Sequence, residues 1–320
     1  MAMSSLFYLK VKVGKTLANI VSASVRNRER RHRLRNRLNP LNPKRCVRYI
    51  RRHYVSAKPI APVADDRQWS PVWVCWLQGL DEAPQLVVNC IRSIERFKYE
   101  EQEVVVVTSA NYAQYVELPD YVVRKWQQGI ISNIHFSDIL RIHLLARHGG
   151  CWIDATCLLT APVPRPLVDS PLFLFRSHGE FSYTYIQSCF ICAQKNNYVL
   201  RKWCGVIDAY WSHETMTLQY FLLHLTFVAI LRSDTHFREA FYRVPALSDA
   251  PMHVLLPALV GGARYTKKLM EKARQTSFVQ KLTYKFTPAL LDEPQSLAYV
   301  LSKRPSGSQD ANKKSGTGQQ

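Results

Sequence analysis

From Trp73 onward the chain switches between short apolar runs and helical spacing of its apolar positions. Trp73 to Leu77 predicts a first strand, with Gly79 allowing a tight turn after it. Pro84 to Phe97 places Val87, Val88, Cys90, Ile91 and Ile94 at helical intervals. Glu103 to Thr108 follows, and its four unbroken valines fit a parallel strand covered on both faces. A further helix runs from about Asp138 to His148. Ser137 is its expected N-cap, Asp138 falls in the first turn, and Gly149-Gly150 stops it. Cys151-Trp152-Ile153 then reads as a strand. It delivers Asp154 and Thr156 to a carboxyl end, where open α/β sheets place their ligands. Strand, helix, strand, helix, strand over residues 72–158 is half of a Rossmann-like α/β fold, with a mostly parallel sheet and flanking helices.

The later pattern is looser. Pro162, Pro164 and Pro166 mark a loop, and Leu172 to Phe175 and Tyr185 to Ala193 read as strands. A helix begins at Asn196-Asn197, carries Val199, Leu200, Trp203, Val206 and Ile207, and closes at Tyr210-Trp211; His213 to Leu231 predicts a second, strongly apolar one. At the other end, Leu6 to Val25 is moderately apolar but broken by Lys10, Lys12, Gly14 and Lys15. The Arg-rich stretch 26–37 then leads into Asn39-Pro40-Leu41-Asn42-Pro43, which ends any helix. This divides the chain into a basic arm (1–55), a linker (56–67), a folded domain (68–301) and a polar tail (302–320) expected to be disordered.

Charge sharpens that division. Of a net +19, residues 1–55 hold fifteen Lys and Arg against the single acid Glu29, so only +5 belongs to the remainder. An apolar segment beside an Arg cluster suits an anionic bilayer surface, each cation adding about 1 kcal/mol. Its rivals are a simple solvated arm and a nucleic-acid contact, the latter disfavoured because no basic stripe or binding motif follows the arm. No run of eighteen apolar residues exists, so no membrane-spanning helix is expected. Dehydrogenase and P-loop chemistries lose their support with the absence of G-x-G-x-x-G and G-x-x-x-x-G-K-[ST]. The eight cysteines, several inside apolar runs, read as reduced buried thiols of a cytosolic protein. Cys189 and Cys192 have redox or metal spacing but no second such pair.

Asp138 and Arg141 stand three residues apart on an otherwise apolar helix, and buried charges need each other or a ligand. Ser137-Asp138-Ile139-Leu140-Arg141, then Gly149-Gly150, then Trp152-Ile153-Asp154-Ala155-Thr156 resembles the signature of the bacterial capsular polysaccharide synthesis family. That family is similar to the D-x-D glycosyltransferases, which include yeast initiating mannosyltransferases and clostridial glucosylating toxins. The resemblance implies a GT-A type glycosyltransferase fold and sugar transfer with retention from a nucleotide-sugar donor, usually with Mn2+ or Mg2+. It assigns Asp138 and Arg141 to the donor sugar hydroxyls, and Asp154 to the ribose and the metal shell. Thr156 stands where related enzymes have their metal-bound carboxylate, and a neutral hydroxyl is the weaker ligand.

Trp76 matches the aromatic that stacks on the nucleotide base, though a core role fits it as well. Tyr220-Phe221-Leu222-Leu223-His224 is similar to the family's Tyr-Phe-Leu-x-His, leaving His224 as an acceptor-side or catalytic candidate beside the plainer reading of a core histidine. Lys281-Leu282-Thr283-Tyr284-Lys285 matches a closing element whose two cations, Lys281 and Lys285, would meet the leaving diphosphate. The expected enzyme uses a UDP- or GDP-sugar, a glycan or lipid-linked glycan acceptor of a cell-surface polysaccharide, and the inner face of the cell membrane. Its rival is a scaffold that binds nucleotide sugar without turnover.

Overall fold

A computed structural model describes residues 5–26, 30, 31, 34, 38–64 and 69–303. Much of the Arg-rich stretch, residues 65–68 and the tail beyond Lys303 therefore lie outside the described residues. In chain order the elements are α1 (Ser5–Ala23), α2 (Pro43–His53), β1 (Ser70–Cys75), α3 (Gln85–Phe97), β2 (Gln102–Val107), α4 (Asp120–Gln127), α5 (Asn133–His148), β3 (Gly150–Ile153) and β4 (Cys157–Leu159). They continue with α6 (Arg165–Val168), β5 (Leu172–Arg176), β6 (Ile186–Ala193), α7 (Tyr198–His213), α8 (Leu222–Leu231), α9 (Thr235–Tyr242), α10 (Leu255–Val260), α11 (Lys267–Thr276), β7 (Val279–Lys281) and α12 (Leu297–Ser302). The fold is mixed α/β, and the chain divides into two compact units.

The first unit comprises residues 1–77, 101–153 and 164–249. Its five-stranded sheet has the order β2-β1-β3-β6-β5. β1 pairs in parallel with β2 and β3, and β6 is antiparallel to both β3 and β5, so four of the five strands run one way. The expected mostly parallel sheet is present. Gly150 explains how β3 gets so close to β1: a Cβ there would lie 2.1 Å from the Pro71 carbonyl oxygen, and its φ of +88° suits glycine. Trp73 Nε1 donates to the Gly149 carbonyl at 3.0 Å, tying the glycine pair to the first strand. α5, α7 and α8 supply much of the core, with Leu140, Leu144, Trp203, Tyr210, Leu225 and Phe227 fully excluded from solvent.

Several expectations are corrected in this unit. α5 starts earlier than Ser137: Ser132 caps it by accepting from the His135 amide, which moves Asp138 beyond the first turn. Folded structure also begins before residue 68. The apolar face of α2, Cys46, Val47 and Ile50, is buried in the same core as the sheet, and its basic face is exposed. The apolar stretch 213–231 is helical only over α8, because α7 ends at His213 and Glu214 turns inward to accept from the hydroxyls of Tyr49 and Tyr54. Finally, Cys151 and Cys192 sit directly opposite each other in the β3–β6 pairing and form a disulfide, so the expectation of uniformly reduced thiols fails at this pair.

The second unit comprises residues 78–100, 154–163 and 250–320. Here α3 packs Leu86 and Cys90 against Leu255, Leu259, Ala273, Leu282, Leu297 and Ala298 in a small core. β4 and β7 form an antiparallel ribbon in which Cys157 faces Lys281 and Leu159 faces Val279. Ser93 on α3 holds that ribbon in place, its hydroxyl accepting from the Leu159 amide at 2.9 Å.

Candidate active site

In the first unit α5 carries Asp138 and Arg141 on one face, and the Arg141 Nη1 lies 3.0 Å from Asp138 Oδ1. Both residues are buried, at 8% and 6% exposure. His135, one turn earlier, puts Nδ1 3.7 Å from the other carboxylate oxygen. The guanidinium of Arg141 also sits 4.9 Å from the centre of the Trp152 ring on β3. Asp138 and Arg141 thus meet as their spacing predicts. His135 and Trp152 belong to the same cluster, although the sequence marks Trp152 only as part of the signature strand and gives His135 no role. The signal available was that His135 precedes Asp138 by three residues on the same helix. Trp76 follows β1, half-buried, with its amide donating to Val107 O at 2.9 Å. His224 is buried on α8 and packs edge-on against Phe221, with ring centroids 5.4 Å apart.

In the second unit, Asp154 and Thr156 occupy the turn that opens β4. The Cys157 amide donates to Asp154 O at 2.8 Å, and the Leu282 amide to Thr156 O at 2.8 Å. The turn therefore lies beside the end of β7, and Lys281 reaches across the ribbon. Its ammonium donates to Asp154 Oδ2 at 2.8 Å and to Thr156 Oγ1 at 2.6 Å. The Lys281 and Asp154 side chains are only 23% and 24% exposed, so water screens the pair weakly. Cys90 lies near this ammonium. Burial pushes its thiol up to about 12, against the opposing pull of Lys281, which keeps it neutral. Lys285, expected to act with Lys281, is exposed, and its ammonium sits 5.7 Å from the ring of Tyr284.

The sequence pattern of the family described as "Capsular polysaccharide synthesis protein" matches residues 23–299. The chain belongs to that family. The match starts well before residue 68, in keeping with the burial of α2 in the core of the first unit. No curated protein matches the chain in sequence. Among solved structures, one titled "PaToxG Glycosyltransferase" is similar at 11% identity and a TM-score of 0.39, with 91% of this chain and 96% of that chain covered.

The family signature raises the question of a divalent metal at Asp154 and Thr156. Hard cations such as Mg2+ and Mn2+ favour several oxygen ligands, carboxylates foremost. Here the donor set is one carboxylate and one neutral hydroxyl, and an ammonium is hydrogen-bonded to both. A dication about 4 Å from that ammonium would be repelled by several kcal/mol at an effective dielectric of about 20. Among the described residues no group of three His, Cys, Asp or Glu is arranged to hold a metal. As arranged, these residues do not fit a divalent ion.

Proposed function

We propose that this member of the capsular polysaccharide synthesis family is a retaining glycosyltransferase of GT-A type. It moves a sugar from a UDP- or GDP-sugar to a glycan or lipid-linked glycan of a growing cell-surface polysaccharide. The observation that carries this reading is the Asp154–Lys281–Thr156 trio, a fixed cation held at the signature's D-x-T. In the reaction, the acceptor oxygen bonds to the anomeric carbon as the bond from that carbon to the β-phosphate oxygen breaks. The acceptor's proton leaves with the departing diphosphate. Charge grows on the leaving phosphate, so a preorganised ammonium at low exposure is the effective catalyst there. Asp154 and Thr156 hold Lys281 in place, and the resemblance gives Asp154 the ribose as a further partner. It gives Asp138 and Arg141 the sugar hydroxyls and Trp76 the base. No protein nucleophile is required if departure and attack use the same face.

The test is release of nucleoside diphosphate from a panel of UDP- and GDP-sugars by the wild type and by Asp154→Ala. Slow release by the wild type that is lost in the variant is the expected result. If no donor is either bound or turned over, the reading is wrong.

Within the same proposal the first unit seats the enzyme on an anionic bilayer, at the inner face of the cell membrane. α1 exposes Leu9, Val13, Leu17 and Ile20 at helical spacing, and α2 exposes Arg45, Arg48, Arg51 and Arg52. No helix among the described residues is long and apolar enough to cross a membrane. Co-sedimentation with phosphatidylserine vesicles should be lost on Leu9→Glu/Leu17→Glu substitution. Retention of binding by that variant would remove α1 from the interface.

A further inference from the structure

We infer that Lys281 takes the place of the divalent cation, so that this enzyme binds its diphosphate without a metal. The inference rests on the glycosyltransferase reading for what the site acts on, but its cation-binding half can be tested alone.

Three observations converge. First, the ammonium is bonded at once to the side chains at both positions that the resemblance gives to the metal, at 2.8 and 2.6 Å. Second, the charges match. A D-x-D pair carries two negative charges and is balanced by a dication, whereas Asp154 with Thr156 carries one and is balanced by one ammonium. With a neutral hydroxyl at 156 and an ammonium at 281, the site is charge-balanced before any metal is added. Third, Lys281 is not a wandering surface lysine. Its backbone is paired with Cys157 in the ribbon and its side chain is about three-quarters shielded, so the charge stays in position without a bound ion to order it.

Mn2+ binding to the full chain, followed by electron paramagnetic resonance, tests this directly. The wild type should leave Mn2+ free, as should Asp154→Asn. Thr156→Asp/Lys281→Gln, which rebuilds the acidic pair and removes the cation, should bind Mn2+ at least about tenfold more tightly. In parallel, UDP or GDP binding to the wild type should be unchanged by EDTA and weakened by Lys281→Gln. Mn2+ binding by the wild type that Asp154→Asn abolishes would overturn the inference, as would nucleotide binding that EDTA removes. If neither nucleotide binds, the glycosyltransferase reading fails, while the Mn2+ measurements still decide the question of the cation.

A different observation carries a second site. In the second unit a cleft of about 550 Å3 is lined by Arg92, Arg96 and Arg274 over an apolar floor that includes Phe97, Leu158 and Met270. Arg92 and Arg96 are four residues apart on α3, where like charges repel, and Arg274 joins them from α11. No carboxylate among the described residues lies within salt-bridge reach of any of the three. We propose that this cleft binds an amphiphilic phosphate, its oxygens on the guanidiniums and its hydrocarbon on the floor. Decyl phosphate should bind at least about tenfold more tightly than decanol or inorganic phosphate, and Arg92→Gln/Arg96→Gln or Arg274→Gln should remove that preference. Lys267→Gln, an exposed lysine on α11, is the control and should change nothing. Vesicles containing phosphatidic acid separate the sources. A preference for them that vanishes in the arginine variants assigns the ligand to a bilayer headgroup, and a preference for the soluble probe alone assigns it to an isolated lipid phosphate. Equal binding of decanol, or unchanged affinity in the variants, would overturn the site.

Discussion

The buried Asp138–Arg141 pair offers the sharpest test of how α5 is held. Breaking a buried pair by removing one partner leaves an uncompensated charge and costs about 3–5 kcal/mol. Asp138→Asn removes the carboxylate 3.0 Å from the guanidinium, which keeps among its contacts the Trp152 ring 4.9 Å away. Arg141→Met keeps the apolar stem and leaves the carboxylate with His135 Nδ1 3.7 Å off. Each single variant should therefore cost about 3 kcal/mol or more, and the double variant should cost clearly less than the sum of the two. All seven tryptophans lie in the first unit, so urea unfolding followed by tryptophan emission reports that unit by itself. With a slope of about 2–3 kcal/mol per molar urea, the midpoint should fall by roughly 1 M or more in Asp138→Asn. Single variants within about 1 kcal/mol of wild type, or single costs that simply add in the double variant, would refute the coupled, desolvated pair.

Other outcomes follow from neighbouring features. His143 Nε2 is 3.0 Å from Asp208 Oδ1. Burial opposes its imidazolium, but the adjacent Cys204 and Asp208 outweigh that and hold its titration well above the ordinary histidine range. Its contribution to stability is then complete below about pH 6.5 and is lost as pH rises through the raised value. Tryptophan-detected stability should decline over that window by at most about 1.4 kcal/mol per pH unit, and His143→Gln should flatten the decline. Gly150→Ala, whose Cβ would meet the Pro71 carbonyl at 2.1 Å, should cost at least about 3 kcal/mol. Gly129→Ala also stands at positive φ but meets nothing within 4 Å, so it should cost only about 1 kcal/mol; equal costs would show that β1 and β3 can separate freely. A thiol-reactive dye should count six thiols in denaturant without reductant and eight after reduction, and eight in both would dissolve the Cys151–Cys192 bond.

What could be read in the sequence was whatever is local. The valine run of β2, the helical spacing of α3 and the three-residue step from Asp138 to Arg141 are all set by neighbours along the chain. What escaped depends on distant partners. Lys281 meets Asp154 across 127 residues, and the family resemblance gave it a phosphate rather than that carboxylate. Cys192 pairs with Cys151 across 41 residues only because an antiparallel register sets them opposite, which no spacing rule shows. The start of α5 differs from the sequence reading for another reason: Ser132 and Ser137 are both plausible caps, and only the bond from the His135 amide to Ser132 decides between them. α2 falls within the basic arm read as a membrane-surface anchor, because its four arginines hide the fact that Cys46, Val47 and Ile50 share one face.

The division into units also bears on how the protein is made. The first unit is complete once Asp249 has been synthesised, whereas the second draws on 78–100 and 154–163 and must wait for residues after 250. Two stretches of the second unit therefore leave the ribosome before the residues they pack with. Asp154 and Thr156 emerge early, yet they acquire Lys281 only when the last strand of the ribbon arrives. The ammonium at Asp154 and Thr156 is thus a late addition to the nascent chain. A polypeptide released shortly before β7 would hold all five strands of the larger sheet but leave Asp154 and Thr156 without their lysine.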